Sequence, residues 1–164
     1  MNESTAMVCI IDDDESVRRS LQRLLLANGF RVAAFADAQR YLEHSHNASC
    51  SCIILDVRMP GVDGLELQAR LDEIGQRVPI VFLTGHGDIP MSVRAVKAGA
   101  ADYLLKPVSL DTLSLTVRRV LENAALRKDH QFCKQQMQYR AARKFALVGS
   151  SDALHQVKQL IEAV

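Results

Sequence analysis

The chain has 164 residues, a net charge of +1, 24% charged residues and 48% hydrophobic residues. This length suits one well-buried domain and an additional segment, since single domains most often contain about 100 to 150 residues. The near-neutral charge excludes the strong positive field typical of a nucleic-acid-binding domain, and no apolar run approaches the roughly 18 residues of a membrane-spanning helix. No secretory signal opens the sequence, so we expect a cytoplasmic protein.

Five short segments are predicted to be strands of one sheet. Four are continuously apolar, as strands buried on both faces are. They are VCII at 8–11, CIIL at 52–55, IVFL at 80–83 and DYLL at 102–105. A less regular fifth is RVAAF at 31–35.

Amphipathic helical patterns lie between the predicted strands. Three of them end at Gly29, Gly75 and Gly99, as expected because glycine readily adopts the left-handed conformation that follows many helices. A further helix is predicted over 37–45, with Asp37 as its N-cap. The alternation of strand and helix from residue 7 to about 122 predicts an α/β fold with a parallel sheet and helices on both faces.

The sequence changes character after residue 110. No glycine or proline occurs from Leu110 to Val148, and apolar residues first recur every three or four positions before polar residues dominate. This pattern predicts one long helix, whose part beyond 125 is either a solvated extension or a helix that pairs with a partner. Residues 146–164 contain a short apolar run, a Gly-Ser-Ser-Asp turn and a new amphipathic helix.

The four cysteines do not form a CxxC motif. Cys9 lies inside an apolar strand, so we expect a reduced thiol that fills the core. A metal site at Cys50 and Cys52 would need His44 and His46 as further ligands, and the irregular spacing disfavours it.

Polar side chains follow the predicted strands where each one ends. Asp12 and Asp13 follow the first, Asp56 the third, Thr84 the fourth and Lys106 the fifth. In parallel sheets these ends meet at the edge where ligands bind. Carboxylates brought together there repel by about 4 kcal/mol per pair at 4 Å, so they need a cation, and Mg²⁺ prefers such oxygen ligands. The set therefore indicates a phosphoryl-type ligand, with one carboxylate free to act as nucleophile.

Simpler interpretations exist for each residue alone. Asp14 or Glu15 can cap the following helix, Thr84 can be a turn residue, and Lys106 can be an ordinary loop lysine. All of these residues together at the ends of separate strands make a shared site the better interpretation. The sequence contains no GxxxxGK[ST] loop, and GHG at 85–87 fits a turn, so we do not expect nucleotide binding.

Four motifs in order resemble the receiver domains of bacterial two-component response regulators. They are IIDDDES at 10–16, LDVRMPGVDG at 55–64, LTGHGD at 83–88 and AADYLLKPV at 100–108. The resemblance covers roughly residues 7–122. It implies a doubly wound, flavodoxin-like sheet of five parallel strands in the order 2-1-3-4-5, with a receiver domain over residues 5–122.

The resemblance also implies the chemistry of the acidic site. Asp56 would accept a phosphoryl group from a sensor histidine kinase. Asp13, Asp56 and the backbone carbonyl of Arg58 would hold magnesium, and Asp12 would contribute mainly through a bound water. The protein would then be a phosphoacceptor with slow self-dephosphorylation and not an enzyme in the usual sense.

Three further residues match the switch of the family. Thr84 and Lys106 would contact the phosphoryl group, and Tyr103 matches the aromatic switch position, although a half-buried strand tyrosine is the simpler interpretation. The change would alter the surface near the helix of 88–98 and the last strand. A homodimer is therefore expected through the face of 88–105, through the long helix, or through both.

The segment GHGDIPMSVRAVKAGAADYLLKP at 85–107 resembles receivers of the FixJ and NtrC/DctD groups, which regulate transcription. The tail LVGSSDALHQVKQLIEAV at 147–164 resembles the first helix of the AAA+ ATPase domain of NtrC-type activators. Residues 123–145 would then be a linker helix and dimerisation coiled coil, and residues 146–164 the start of the ATPase output domain of a sigma-54-dependent activator. The alternative is a FixJ-like regulator with a helix-turn-helix output. In both, contacts with DNA and RNA polymerase belong to output domains outside this chain.

Two other functions remain open. Asp12, Asp14 and Ser16 approximate the DxDx(T/V) nucleophile loop of haloacid-dehalogenase-type phosphatases, in which Asp12 would be the nucleophile, but the cap domain and the late acidic pair of that family are missing. The domain could also be an interaction scaffold that works without phosphorylation, and the intact acidic site argues against this. The position of a phosphoryl group separates the three functions.

Overall fold

A computed structural model describes residues 6–45, 50–85 and 99–145. Their core is one parallel sheet with the strand order β2-β1-β3-β4-β5, which confirms the predicted order and fold. The strands are β1 (Met7–Ile11), β2 (Arg31–Phe35), β3 (Cys52–Asp56), β4 (Ile80–Thr84) and β5 (Asp102–Leu105).

The strand register makes the carboxyl ends of the central strands level. Ile11 lies beside both Phe35 and Leu55, and Asp56 lies beside Leu83. Thr84 in turn lies beside Leu105 at the end of β5. The polar residues that end or follow these strands therefore meet at one edge of the sheet, which is where parallel sheets bind ligands.

Helices α1 (Glu15–Ala27), α2 (Ala38–Ser45) and α3 (Gly64–Glu73) connect the strands, and α4 (Leu110–Phe145) follows the last one. Asp14 caps α1 by accepting hydrogen bonds from the backbone N–H groups of Ser16 and Val17, as one of the sequence interpretations proposed. Asp37 accepts a hydrogen bond from the backbone N–H of Arg40 at the start of α2, as predicted.

The predicted helix ends are found at Gly29 and Gly75, whose φ angles of 83° and 73° are left-handed. Each follows the last turn of a helix, where a side chain would strain this conformation. The predicted helix before Gly99 falls on residues 86–98, and the predicted helix of the tail falls on 146–164. Both lie outside the described residues.

Two apolar clusters cover the two faces of the sheet. Alternate residues of β1 point to opposite sides: Val8 and Ile10 belong to one cluster, and Cys9 and Ile11 belong to the other. Side chains of α1 and α4 complete the first cluster, and side chains of α2 and α3 complete the second. The helical members are Leu21, Leu25, Leu113, Val117 and Val120 in the first and Ala38, Tyr41, Leu67 and Leu71 in the second.

The structure differs from the predicted strands in three respects. Strand β1 begins one residue earlier than predicted, at Met7. Strands β3 and β4 continue for one residue, through Asp56 and Thr84, because the hydrogen-bonded ladder does not stop where side chains become polar. Strand β5 is not buried on both faces as its apolar sequence indicated, since Tyr103 and Leu105 are exposed. Among the strands of the described residues, it is an edge strand with a partner on one side only.

The described residues fall into two compact units, one up to Ala125 and one from Leu126. Helix α4 continues to Phe145, which confirms the predicted long helix. In the second unit, its apolar side chains Leu126, Phe132 and Met137 are exposed. Across residues 6–45, 50–85 and 99–145, none of the helices combines the length and apolarity needed to cross a membrane.

Candidate functional site

The site lies at the carboxyl edge of the sheet and is built from strand ends. Asp12 directly follows β1 and is fully buried, while Asp56 ends β3 with 8% of its surface exposed. Lys106 follows β5, and its backbone N–H donates to the carbonyl of Thr84, which keeps the end of β5 level with β4. The peptide bond between Lys106 and Pro107 is cis.

Lys106 joins two of the carboxylates. Its Nζ lies 2.7 Å from Oδ2 of Asp12 and 2.8 Å from Oδ2 of Asp56. The lysine side chain is itself largely shielded, with 25% of its surface exposed. Burial alone would lower the pKa of Lys106, but the hydrogen bonds and charges of the two carboxylates raise it above its usual 10.5.

Hydrogen bonds hold both the side chain and the main chain of Asp12. Its Oδ1 accepts a hydrogen bond of 2.9 Å from the backbone N–H of Asp14, and its main-chain carbonyl accepts one of 2.7 Å from Nη1 of Arg18. Burial raises the pKa of Asp12 above its usual 3.8, although the hydrogen bond from Lys106 opposes this shift.

Three carboxylates are close enough to share a cation. One oxygen from each of Asp12, Asp13 and Asp56 lies within 4.8 Å of the others, and Asp13 is exposed to solvent. In the described part of the chain this is the one group of potential ligands with such spacing. An all-oxygen, strongly anionic set with one open side suits Mg²⁺, which keeps several waters when it binds protein.

The other predicted site residues are Arg58, Thr84 and Tyr103, which differ in their contacts and in their exposure to solvent. The backbone N–H of Arg58 donates to Oδ1 of Asp56 at 3.3 Å, which places the backbone of Arg58 beside this carboxylate. Thr84 is buried, and its hydroxyl donates to the carbonyl of Gly85 at 3.3 Å. Tyr103 is 44% exposed, so the structure does not bring its ring into the buried cluster.

Sequence reasoning missed two residues that shape the site, Arg18 and Gly64. Arg18 contacts a main-chain carbonyl, and such a contact leaves no recognisable pattern in a sequence. Gly64 begins α3 directly behind Asp56: a Cβ atom there would lie 2.5 Å from the carbonyl oxygen of Asp56. A glycine immediately after the cap Asp63 was the available signal for this close approach.

All four cysteines are free thiols. Cys9 and Cys52 are buried, as expected for core-filling residues, and burial raises the pKa of Cys52. Cys50 donates from its sulfur to the carbonyl of Cys52 at 3.1 Å. Of the two histidines considered for a metal site, His44 packs on the ring of Phe35, and residue 46 lies outside the described residues.

Known proteins with similar sequences and structures identify the family of this chain. The response regulator receiver domain family matches residues 8–118. Response regulator protein TmoT from Ectopseudomonas mendocina is 42% identical over 130 residues, which are 79% of this chain and 59% of that protein. The chain therefore spans less than two thirds of the length of this relative.

Two further comparisons cover different lengths of the chain. The C4-dicarboxylate transport transcriptional regulatory protein DctD from Rhizobium meliloti strain 1021 is 32% identical over 157 residues, which are 96% of this chain and 34% of that protein. The solved structure of response regulator StyR has a TM-score of 0.74 and 41% identity, and the match covers 88% of this chain and 71% of the StyR chain. The chain belongs to the family of response regulator receiver domains of two-component systems.

Proposed function

We propose that this receiver takes up a phosphoryl group on Asp56 from a sensor histidine kinase in the cytoplasm. The observation that carries the proposal is the bridge from Lys106 Nζ to Asp12 and Asp56, at 2.7 and 2.8 Å, with Asp13 in the same cluster. Three carboxylates around one ammonium form a site that stays anionic without a further cation. It can therefore attract Mg²⁺ and, with it, a phosphoryl group.

In the proposed transfer, an oxygen of the Asp56 carboxylate forms the bond to phosphorus. The imidazole nitrogen of the kinase leaves with the electron pair of the broken P–N bond. Lys106 already lies 2.8 Å from Asp56 Oδ2, so its ammonium can follow the charge from the carboxylate to the phosphoryl oxygens. The hydroxyl of Thr84 can donate to a phosphoryl oxygen once it leaves the carbonyl of Gly85.

We propose Mg²⁺ as the cofactor, held by Asp13, Asp56 and the backbone carbonyl of Arg58, with Asp12 acting through a bound water. Exposed Asp13 and the open side of the cluster support this division, because Asp12 is fully buried and already bound to Lys106. When bound, the ion would neutralise and orient the phosphoryl oxygens during transfer.

The same contacts argue against Asp12 as a phosphatase nucleophile. Its Oδ2 is occupied by Lys106, its Oδ1 by the backbone N–H of Asp14, and none of its surface is exposed. Asp56 also accepts hydrogen bonds at both of its carboxylate oxygens, but it keeps part of its surface open to an incoming phosphoryl group, and Asp12 does not.

Phosphorylation would shift the population between two conformations of the face that carries β5. If Thr84 moves toward the phosphoryl group, space opens for the exposed ring of Tyr103 to turn inward. Tyr103 and Leu105 are exposed apolar side chains of β5, and their exposure supports a homodimer here. The predicted helix over 88–98 belongs to the same proposed face but lies outside the described residues.

For the whole regulator, we propose a receiver over residues 5–122, a linker helix over 123–145 that dimerises, and the start of an AAA+ output domain over 146–164. The match to DctD extends over 157 residues of this chain, whereas the match to TmoT covers 130. The longer match supports a sigma-54-dependent activator over a FixJ-like helix-turn-helix regulator. Exposed Leu126, Phe132 and Met137 on the otherwise polar helix support its role in self-association.

The proposal is tested with acetyl phosphate and Mg²⁺, followed by intact-mass spectrometry, peptide mapping and sedimentation of the same sample. We expect a single phosphoryl adduct on Asp56, no adduct in the Asp56→Asn variant, and a changed association state. Asp63→Asn is the matched control, because this nearby residue caps α3 and asparagine caps equally well.

Three outcomes would contradict the proposal in different ways. Full labelling of Asp56→Asn would refute Asp56 as acceptor. An adduct on Asp12 would favour the phosphatase, and no adduct, together with no response to beryllofluoride and Mg²⁺, would favour a phosphorylation-independent scaffold.

A further inference from the structure

Arg18 lies outside the carboxylate cluster but holds the peptide that connects two of its members. Its Nη1 donates a hydrogen bond of 2.7 Å to the main-chain carbonyl of Asp12. That carbonyl belongs to the peptide between Asp12 and Asp13, so its orientation sets the directions in which both carboxylates leave the chain. A hydrogen bond from a charged donor is short and strong, and it fixes this peptide plane more firmly than a neutral donor would.

The arginine is itself fixed by the loop that it supports. Its backbone N–H donates to the carbonyl of Asp14 at 3.0 Å, and the side chain of Asp14 caps the same helix. The backbone N–H of Asp14 in turn donates to Oδ1 of Asp12. The acidic loop and the first turn of α1 thus form a closed set of hydrogen bonds, and Arg18 is its cationic member.

We infer that Arg18 is a positioning residue for the Mg²⁺ site, which orients Asp12 and Asp13 for the ion through the peptide between them. The inference rests on the proposed function, because it assigns a role toward the proposed ion. The direction of the change in Mg²⁺ affinity distinguishes two roles for Arg18. A positive charge near the site would by itself oppose Mg²⁺ binding, so a purely electrostatic role predicts tighter binding when the charge is removed. A positioning role predicts weaker binding.

The experiment measures Mg²⁺ affinity of the full chain by isothermal titration calorimetry. We expect Arg18→Gln to raise the Mg²⁺ Kd roughly tenfold, as loss of a group that orients metal ligands commonly does. Arg18→Lys keeps the charge but not the planar donor pair, and it should raise the Kd about threefold. The control is Arg19→Gln, since Arg19 is the next residue of the same helix, is exposed and pairs only with Glu15 in the described contacts.

A second readout separates positioning from general damage. The rate of phosphoryl uptake from acetyl phosphate should fall in Arg18→Gln at limiting Mg²⁺ and return to the wild-type rate at saturating Mg²⁺. A structural defect would lower the rate at both concentrations. Circular dichroism shows whether Arg18→Gln folds, and if it does not, the affinity of Arg18→Lys decides.

The possible results distinguish this inference from the proposed function. Unchanged or tighter Mg²⁺ binding in both Arg18 variants would overturn the inference while leaving the phosphoacceptor intact. An equal loss of affinity in Arg19→Gln would also overturn it, because the effect would then not depend on the hydrogen bond to the Asp12 carbonyl. If the wild-type chain binds no Mg²⁺ at all, the proposed function itself fails.

Discussion

Replacing Gly64 with alanine tests how tightly α3 is packed behind the candidate phosphoacceptor. The added methyl group would lie 2.5 Å from the carbonyl oxygen of Asp56, 3.0 Å from Cε1 of Phe82 and 3.2 Å from Cα of Val57. Two of these three neighbours are backbone atoms, so no side-chain rotation relieves the clash. Ordinary contact begins near 3.4 Å, so the helix start and the strand end must separate by about 0.9 Å.

The expected cost follows from that displacement. Overpacking a dense core typically destabilises by about 1 to 3 kcal/mol, and contacts with rigid backbone place Gly64→Ala in the upper half of that range. We expect a loss of about 2 kcal/mol in the free energy of unfolding, or a melting temperature lower by about 8 °C. Because the displaced atom belongs to Asp56, uptake of a phosphoryl group should also slow by at least about tenfold.

Urea unfolding followed by circular dichroism measures the first effect. The control is Gly85→Ala, where the added methyl group would meet no atom within 4 Å. If Gly64→Ala and Gly85→Ala unfold at the same urea concentration, α3 can shift without loss. The close approach behind Asp56 would then have no energetic consequence.

Three further substitutions test the charges and caps around the site. Because burial raises the pKa of Asp12, the folded protein loses stability as the pH rises from about 3.8 through that raised pKa. Asp12→Asn removes this loss and should stabilise the Mg²⁺-free protein at pH 7, as thermal unfolding would show. An unchanged melting temperature at pH 7 would contradict this. Lys106→Met leaves two buried carboxylates without their cation and should lower the free energy of unfolding by about 3 kcal/mol in urea with EDTA, with partial recovery in Mg²⁺. Equal stability of the variant and the wild type in EDTA would show that Lys106 does not offset the charge of Asp56. Asp63→Ala removes the cap of α3 and should lower the free energy of unfolding by about 1 kcal/mol, whereas Asp72→Ala in the last turn of that helix should not destabilise the protein. Equal effects of the two substitutions would refute the role of Asp63 as a cap.

The sequence was sufficient to predict the acidic site because its members share one property that a sequence displays. Asp12, Asp56 and Lys106 each follow a buried apolar run, and parallel strands bring such ends to one edge. The contact between Asp12 and Lys106, which are 94 positions apart, was thus predictable from their places at the ends of parallel strands. The helix ends at Gly29 and Gly75 were predictable for a local reason, because glycine readily adopts the left-handed conformation found there.

Other features depended on information that hydrophobic patterns lack. An apolar run such as DYLL does not reveal whether its strand lies at the centre or the edge of a sheet, so the exposure of Tyr103 and Leu105 was not predictable. The contact of Arg18 has a backbone acceptor, and every residue has one. The strand ends at Asp56 and Thr84 were placed one residue short because side-chain polarity was taken as the end of backbone pairing.

The charge balance of the site indicates how the proposed phosphorylation would reach the surface. Three carboxylates, the ammonium of Lys106 and one Mg²⁺ are together neutral. Phosphorylation converts the single charge of Asp56 into nearly two negative charges, so the site becomes anionic again by about one charge. The additional phosphoryl oxygens can accept hydrogen bonds from neutral donors such as a hydroxyl. The nearest strand end with a side-chain donor is Thr84 on β4, and its neighbour β5 carries the exposed Tyr103. A hydrogen bond from the Thr84 hydroxyl to the phosphoryl group would therefore direct the response toward the edge of the sheet where the proposed dimer face lies.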